Sequence, residues 1–512
     1  MKRWITILLM TLLGLALLWS AGSRHERLRQ SRQTYDLTHA EPLENAPPLV
    51  VFSTVALGGF SGIIADVLWV RAAQLQMDGQ YFELVQLADW ITKLQPRFPD
   101  GWVYHAWNLS YNISVMFDRP EDRWRWVRHG IELLRDGGLR YNPASPTLHR
   151  ELGWIFQHKI GESTDRAHMT YKYEWAMEMD RLLGGANPDY AALERAPTRR
   201  AQLLEHPEME DLIQTLQAAD FDPLARPWPS EERWTAWKEI LDEHPAGTTY
   251  LHHVRLRRME DRYKLFPERM RQIEAEIGPL DWRLPHAHAV YWAWSGRPYA
   301  KGFERRALDR MVFQSMALSF REGRLYHDPA EEVFVLAPHP DLLPYVMQAY
   351  AEAVEEHGDT VRTAHINFLN HALSVVYTYN RTEDARRVFE EIRTRYPEEV
   401  RDRDLEDYAL ALFVDRIEDI SQFEAHSFVE GAFYQSYFWR ALGEEERAAG
   451  FERLARQVWH SYMEPLLRDA ELLERTGLPP LPQIRRSARE QAREAFRSRA
   501  ARGRLAPNEQ EK

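Results

Sequence analysis

The sequence predicts an all-α fold: an α-solenoid of short helical hairpins with one N-terminal transmembrane helix. Three observations predict it. Apolar residues recur at 3- and 4-residue spacing in segments of helix length, opened by Gly or a capping residue and closed by Pro. Such segments repeat at intervals near 34 residues, as when residue 65 is followed by a new start at Pro99. An uncharged run stands at the amino end.

The run comes first. Lys2 and Arg3 precede 19 uncharged residues from Trp4 to Gly22. At ~1.5 Å per residue they nearly match a hydrocarbon layer of ~30 Å, and Trp4 and Trp19 sit where indoles prefer the interface. Ser20-Ala21-Gly22 also fits a small-x-small cleavage site. Arg24, Arg27, Arg29 and Arg32 come directly after it and oppose export, so the expectation is a retained anchor. Counting flanking charge argues for a cytoplasmic body. Anchors of this layout often carry the downstream chain across, and the expectation leans to the extracytoplasmic side of a bacterial cytoplasmic membrane. A second uncharged stretch, 49–65, reads as a buried first helix, with a membrane segment as the alternative.

The bulk numbers fit an extended array. The chain has 512 residues, 44% apolar and 28% charged, which excludes global disorder. Its 18 Trp, 22 Tyr and 21 Phe suit gaps between stacked helices, or a stacking groove for sugars or peptides. A net charge of −12 argues against nucleic acid as a partner. Only 8 of the 65 basic residues are Lys. With no Cys, disulfides, thiolate nucleophiles and Cys-based metal sites are excluded.

The hairpins are arranged in order along the chain. Residues 65–78 form a first helix with Leu68, Ala72 and Leu75 on one face. Gly79 turns the chain, and Leu84, Leu87, Ala88 and Ile91 mark a second helix that Pro96 stops. The next unit carries Trp102, Ala106 and Leu109, then a longer loop, then 123–138, closed by Asn142-Pro143. A third unit starts near Pro146, with Leu152-Gly153 and Phe156, and continues through Tyr173 and Ala176. The clearest copy is 380–397, where Ala385, Phe389 and Pro397 stand at fixed offsets behind a capping Thr382. Its partner helix is 365–379, and a weaker copy spans 434–463.

These positions resemble the tetratricopeptide repeat (TPR). Trp102, Ala106, Leu152, Gly153, Ala385 and Phe389 match the family's packing positions. Arg71, Leu84 and Ala88 depart from its pattern. The resemblance implies stacked hairpins that bury each other's apolar faces and form a curved solenoid. It also implies an inner groove lined by Val103, Trp107 and Tyr111 in one unit and by Asn370, Ser374 and Tyr377 in another. The family's clamp for a terminal carboxylate expects Lys and Asn, where the chain has Val103 and Trp107 in one unit and Asn370 and Ser374 in the other, so an apolar peptide, a partner helix or a glycan fits better. Residues 47–154 further resemble an uncharacterised bacterial membrane-associated family that implies no activity.

The domain reading is therefore an anchor or signal peptide at 1–22, a linker at 23–48 and an N-terminal array at 49–183. An irregular helical insertion or junction at 184–285, rich in Pro, precedes a C-terminal array at 286–478 and an Arg-rich tail at 479–512. In the tail, 485–504 hold eight Arg against Glu490 and Glu494, a solvated terminal helix or a surface for anionic lipid or an acidic partner.

Catalytic motifs are missing. Gly58-Gly59-Phe60-Ser61-Gly62 lacks the Lys and spacing of a phosphate loop. Asp402, Asp404 and Asp407 lack the Gly and bidentate Glu of a calcium loop. His252-His253 and His286/His288 are spaced so that helical neighbours face apart, which suits metal badly. The expectation is a membrane-tethered scaffold or adaptor, not an enzyme. It would bind protein, peptide or polymer partners in its groove, in envelope assembly or export, with no metal, no nucleic acid and no small-molecule cofactor. The alternative is an all-α enzyme acting on glycans or another envelope polymer, which a clustered acidic pocket beside aromatics would favour.

Overall fold

The computed structural model describes residues 61–220, 231–328, 333–413, 421–468 and 470–502. The run at 4–22, the linker at 23–48 and most of the run at 49–65 lie outside the described residues. Among the described residues no helix is long and apolar enough to cross a membrane. The fold is overwhelmingly helical.

The chain divides into two compact units, residues up to Gly79 with Asp89–Gln95, and Gln80–Ala88 with Pro96 onward. Helix α1 (Ser61–Met77) buries Ala65, Ala72 and Leu75 and leaves Ile63, Val67, Val70 and Met77 exposed. Helix α2 (Tyr81–Leu94) is amphipathic and buries Leu84, Ala88, Ile91 and Leu94 at helical spacing.

Three helices of the second unit share one construction. Each begins with Pro in its first turn, where the missing N–H costs nothing, and each continues without a break into a π-helical stretch. Helix α3 (Pro99–Trp107) runs into Asn108–Ile113, α4 (Pro120–Glu132) into Leu133–Gly138, and α5 (Pro146–Trp154) into Ile155–Ile160. The widened turns rotate the helix face and recur at functional sites. The Ser145 side chain caps α5 by accepting the Leu148 N–H at 3.3 Å. Helix α6 (His168–Leu183) ends at the left-handed Gly184.

Between Gly184 and Leu284 the chain makes an excursion. Leu203, Leu212, Leu216, Trp234, Trp237 and Tyr250 close a separate core there. Helices α7 (Gly247–Arg258) and α8 (Pro267–Ile277) lead back. Helix α9 (Pro285–Gly296) then packs on α5, and α10 (Gly302–Glu322) packs on both. Gly153 lets the helices approach closely at that crossing: a Cβ there would lie 2.5 Å from Met311 Sδ and 3.2 Å from the Ala289 carbonyl, so Met311 would have to move.

An element that the sequence pattern does not announce comes after α10. Strands β1 (Arg324–Asp328) and β2 (Val333–Ala337) form an antiparallel hairpin with Arg324 opposite Ala337 and Tyr326 opposite Val335. Helices resume with α11 (Leu343–His357), α12 (Asp359–Thr378), α13 (Thr382–Arg395), α14 (Leu405–Ala411), α15 (Gln422–Ala441), α16 (Glu445–Leu466) and α17 (Leu481–Arg502). Consecutive helices pair: α12 with α13, α15 with α16. Ser421 and Glu424 form a capping box at the start of α15. Helix α17 lies on α15 through Ile484, Ala488 and Ala492, with the Phe496 ring stacked on Phe438, while Arg486, Arg489 and Arg493 face solvent. One contiguous apolar core runs from Trp102 to Ala488.

Candidate functional site

The junctions where α3 and α5 turn π-helical bring four rings together. Trp107 stacks on Tyr111 at 5.6 Å between centroids, with 22° between planes. Tyr111 lies 5.8 Å from the His158 ring, its hydroxyl 3.4 Å from Nδ1. His158 stacks on Trp154 at 4.7 Å and 10°. The two indoles at the ends remain 38% and 37% exposed, large apolar surface held open on a rigid support. Burial raises the Tyr111 hydroxyl far above its ordinary range, so it stays neutral.

A buried ionic group backs the stack. The Lys159 ammonium sits 5.2 Å from the Tyr111 ring centroid and donates to Asp165 Oδ2 at 2.6 Å. Arg123 donates to Asp165 Oδ1 at 3.0 Å, the Ala167 N–H to the same oxygen at 2.9 Å, and the Tyr171 hydroxyl to Oδ2 at 3.2 Å. Burial opposes ionisation of Asp165, but the Lys159 and Ala167 hydrogen bonds and the nearby cations outweigh it and hold the carboxyl below its usual range. Burial pushes the Lys159 amine down, with Asp165 opposing. All the acceptor capacity of Asp165 is engaged, so the group positions Lys159 and the rings instead of offering a reactive carboxylate.

Trp154 also lines a groove of about 280 Å³ between α5 and α10. Arg150, Trp154 and Gln157 form one wall, and Phe303, Arg306 and Arg310 the other, with Met311 between. Among the described residues no carboxylate lines it. Arg306 and Arg310 are exposed and form no ion pair with a described residue. Phe303 is 72% exposed, while Gln157 is buried and its Oε1 has no hydrogen-bond partner.

A second cavity, about 500 Å³, lies where the excursion, the β hairpin and the start of α16 converge. Glu274, Asp281, Asp341 and Glu444 line it with Arg283, Arg324, Tyr190 and Tyr326. Arg283 grips Asp281 through two bonds of 2.9 and 2.8 Å, and Arg324 and Arg381 bind the two oxygens of Asp341 at 2.6 and 2.7 Å. Tyr326 donates to Glu444. Glu274 differs: it accepts the Trp282 indole N–H at 2.6 Å, and burial pushes its carboxyl above the usual range. Burial works against Asp341 too, but Arg381 and Arg324 hold it below that range.

The residues picked out from the sequence fall in three places. Trp102, Ala106, Leu152, Gly153, Ala385 and Phe389 are buried; Trp102 donates its indole N–H to the Pro96 carbonyl at 2.8 Å. Val103 is half-buried against the main core, and Trp107 and Tyr111 belong to the ring stack. Asn370, Ser374 and Tyr377 lie on α12 among packed neighbours. Tyr408 donates to Asn370 Oδ1 at 2.8 Å, Ser374 to the Asn370 carbonyl at 3.0 Å, and the buried Tyr377 to Gln457 at 2.6 Å. His286 and His288, in α9, are buried; desolvation pushes them down to about 3 and about 4. Sequence reasoning missed Trp154, His158 and the arginines of α10. The i, i+4, i+7 spacing of Arg150, Trp154 and Gln157 was an available sign of one helix face.

Comparison with known proteins finds no match to a protein-family model, to a curated protein or to a solved structure.

Proposed function

We propose that the chain is a membrane-tethered scaffold or adaptor, a solenoid of TPR-like hairpins that holds a protein or polymer partner. Its setting is envelope assembly or export, with the body on the extracytoplasmic side. One observation carries the binding role: the four-ring stack ending in Trp107 and Trp154, kept half open by a buried ion group and continuous through Trp154 with an arginine-bearing groove. Aromatic anchors and Arg are the residues that dominate protein interfaces. The membrane tether rests on the uncharged run at 4–22. The reading calls on no cofactor and no nucleic acid. Its test is capture from detergent extracts with the wild-type chain and with Trp107→Ala/Tyr111→Ala. Loss of the captured partners is expected; an unchanged set removes the stack from the binding surface.

A second reading, an all-α enzyme acting on a glycan or another envelope polymer, draws on the 500 Å³ cavity. Glu274 and Asp341 line one space with their carboxyls driven in opposite directions, the pattern of a proton donor beside an ionised partner. Release of reducing ends from cell-wall glycan that disappears in both Glu274→Gln and Asp341→Asn supports this reading. Absence of release from the wild type removes it.

A further inference from the structure

We propose that the groove between α5 and α10 receives an acidic peptide segment of the partner, a conclusion that rests on the scaffold reading above. Two helix faces make the groove. Arg150, Trp154 and Gln157 are spaced by four and three residues, and Phe303, Arg306 and Arg310 by three and four. Each face thus repeats a cation and an aromatic ring, and the ligand meets the same chemistry from both sides.

The groove makes three demands on its ligand. The first is negative charge. Three guanidiniums face a cavity whose lining holds no carboxylate among the described residues, within a chain whose net charge is −12. The neighbouring helix surface shows the contrast, since Arg305 of α10 is already paired with Asp309 at 2.9 Å while Arg306 and Arg310 are left for another anion. The second is an N–H donor. Gln157 is 3% exposed, lines the groove, and has an unpartnered Oε1; an unmet buried acceptor is costly until a donor reaches it. The third is an apolar group, because Phe303, Trp154 and Met311 present carbon surface at the same place. A peptide with Glu or Asp flanking a Leu or Phe meets all three, its backbone supplying the N–H. A uronate glycan supplies carboxylates and O–H donors but no side chain for Phe303 and Met311.

The test uses the full chain in detergent and fluorescence anisotropy of a labelled Glu-Leu-Glu-Asp-Phe-Glu peptide. Its Gln/Asn counterpart serves as the neutral control and trigalacturonate as the glycan competitor. The acidic peptide is expected to bind at least tenfold more tightly than the neutral one, and more weakly as salt rises. Arg306→Ala/Arg310→Ala is expected to remove about tenfold of that affinity, and Gln157→Leu a few-fold. Both arginines are exposed and form no ion pair with a described residue, and urea unfolding of the double variant checks that its fold persists. Equal binding of the neutral peptide, indifference to the arginine substitutions, or binding of trigalacturonate in place of the peptide overturns the inference. If partner capture depends on Trp107 and Tyr111 while the acidic peptide ignores the arginines, the inference falls and the scaffold reading stands.

Discussion

Helices α4–α6 and helix α13 handle charge in opposite ways. Around α13 ionic contacts ride on the surface: Arg386 with Glu383, Arg393 with Glu390 and Arg395 with Glu391 sit one turn apart, none of them fully buried, over a core of Ala385, Val388, Phe389 and Ile392. In α4–α6 the charges go inside. Arg123 and Lys159 converge on Asp165, and Glu178 accepts from Arg128 at 2.8 Å and from the Tyr263 hydroxyl. A buried ion pair is no route to extra stability, since apolar replacements of the same volume often do as well or better. What it supplies here is position: Lys159 sits under Tyr111 because Asp165 holds it there. The α12–α13 pair rests on apolar packing beneath surface charges, and the α4–α6 region carries charge inside its packing.

The largest test of that contrast is Asp165→Ala, which leaves two cations buried without a counter-charge. It is expected to cost about 3–5 kcal/mol in urea unfolding followed by tryptophan fluorescence. A loss below about 1 kcal/mol would put the group on the same footing as a surface pair. Phe389→Ala, in the apolar counterpart, is expected to cost about 3 kcal/mol. Hydrogen exchange should rise in α13 and α14 and stay constant in α5; a rise in both would mean the two regions are not separate in energy.

Acid sharpens the comparison next. His286 and His288 of α9, packed on α5, are driven down to about 3 and about 4 by burial, and His365 of α12 to about 4. Unfolded, each titrates near ~6.5. Their folded values are depressed, so their neutral burial is favourable above pH 6.5, and the unfolded chain gains protons first as pH falls from there toward 4. Stability should drop by up to about 1.4 kcal/mol per pH unit per histidine, and exchange in α9 should quicken before that in α12. Equal denaturation midpoints at pH 7 and pH 5 would contradict this. At the small end, Arg386→Ala is expected to change stability by at most about 0.5 kcal/mol; a loss above 1 kcal/mol would show that the outer charges of α13 are not merely solvated.

Much of the helical content was legible because helix periodicity and its punctuation are local. The helix at Thr382–Arg395 could be read from Ala385, Phe389 and Pro397, although Arg381 and not the expected Thr382 stands at its N-cap, with no side-chain cap, and α2 from Leu84, Ala88, Ile91 and Pro96. What periodicity does not specify is which face meets which. Nothing in the pattern of Gly153 announces that Ala289 and Met311, far along the chain, press against it. The β hairpin escaped because Arg324-Leu325-Tyr326-His327 carries no β-branched residue and no Gly stands between the strands, although Val333-Phe334-Val335 in β2 suits a strand. The π-helical turns were equally silent, and they decide that His158 faces Tyr111. Trp107 and Tyr111 follow from the tetratricopeptide resemblance, whereas Trp154 and the α10 arginines join them only through tertiary packing. The 500 Å³ cavity draws Tyr190, Glu274, Asp281, Tyr326, Asp341 and Glu444 from scattered stretches, so no spacing rule links them.

The separate core closed by Leu203, Leu216, Trp237 and Tyr250 has its own consequence. Because those side chains satisfy one another and the chain then comes back to lay α9 on α5, this lobe behaves as a cassette. A substitution inside that core is expected to loosen the lobe while the register of the surrounding helices stays intact, and faster hydrogen exchange in the lobe than in α9 would show it.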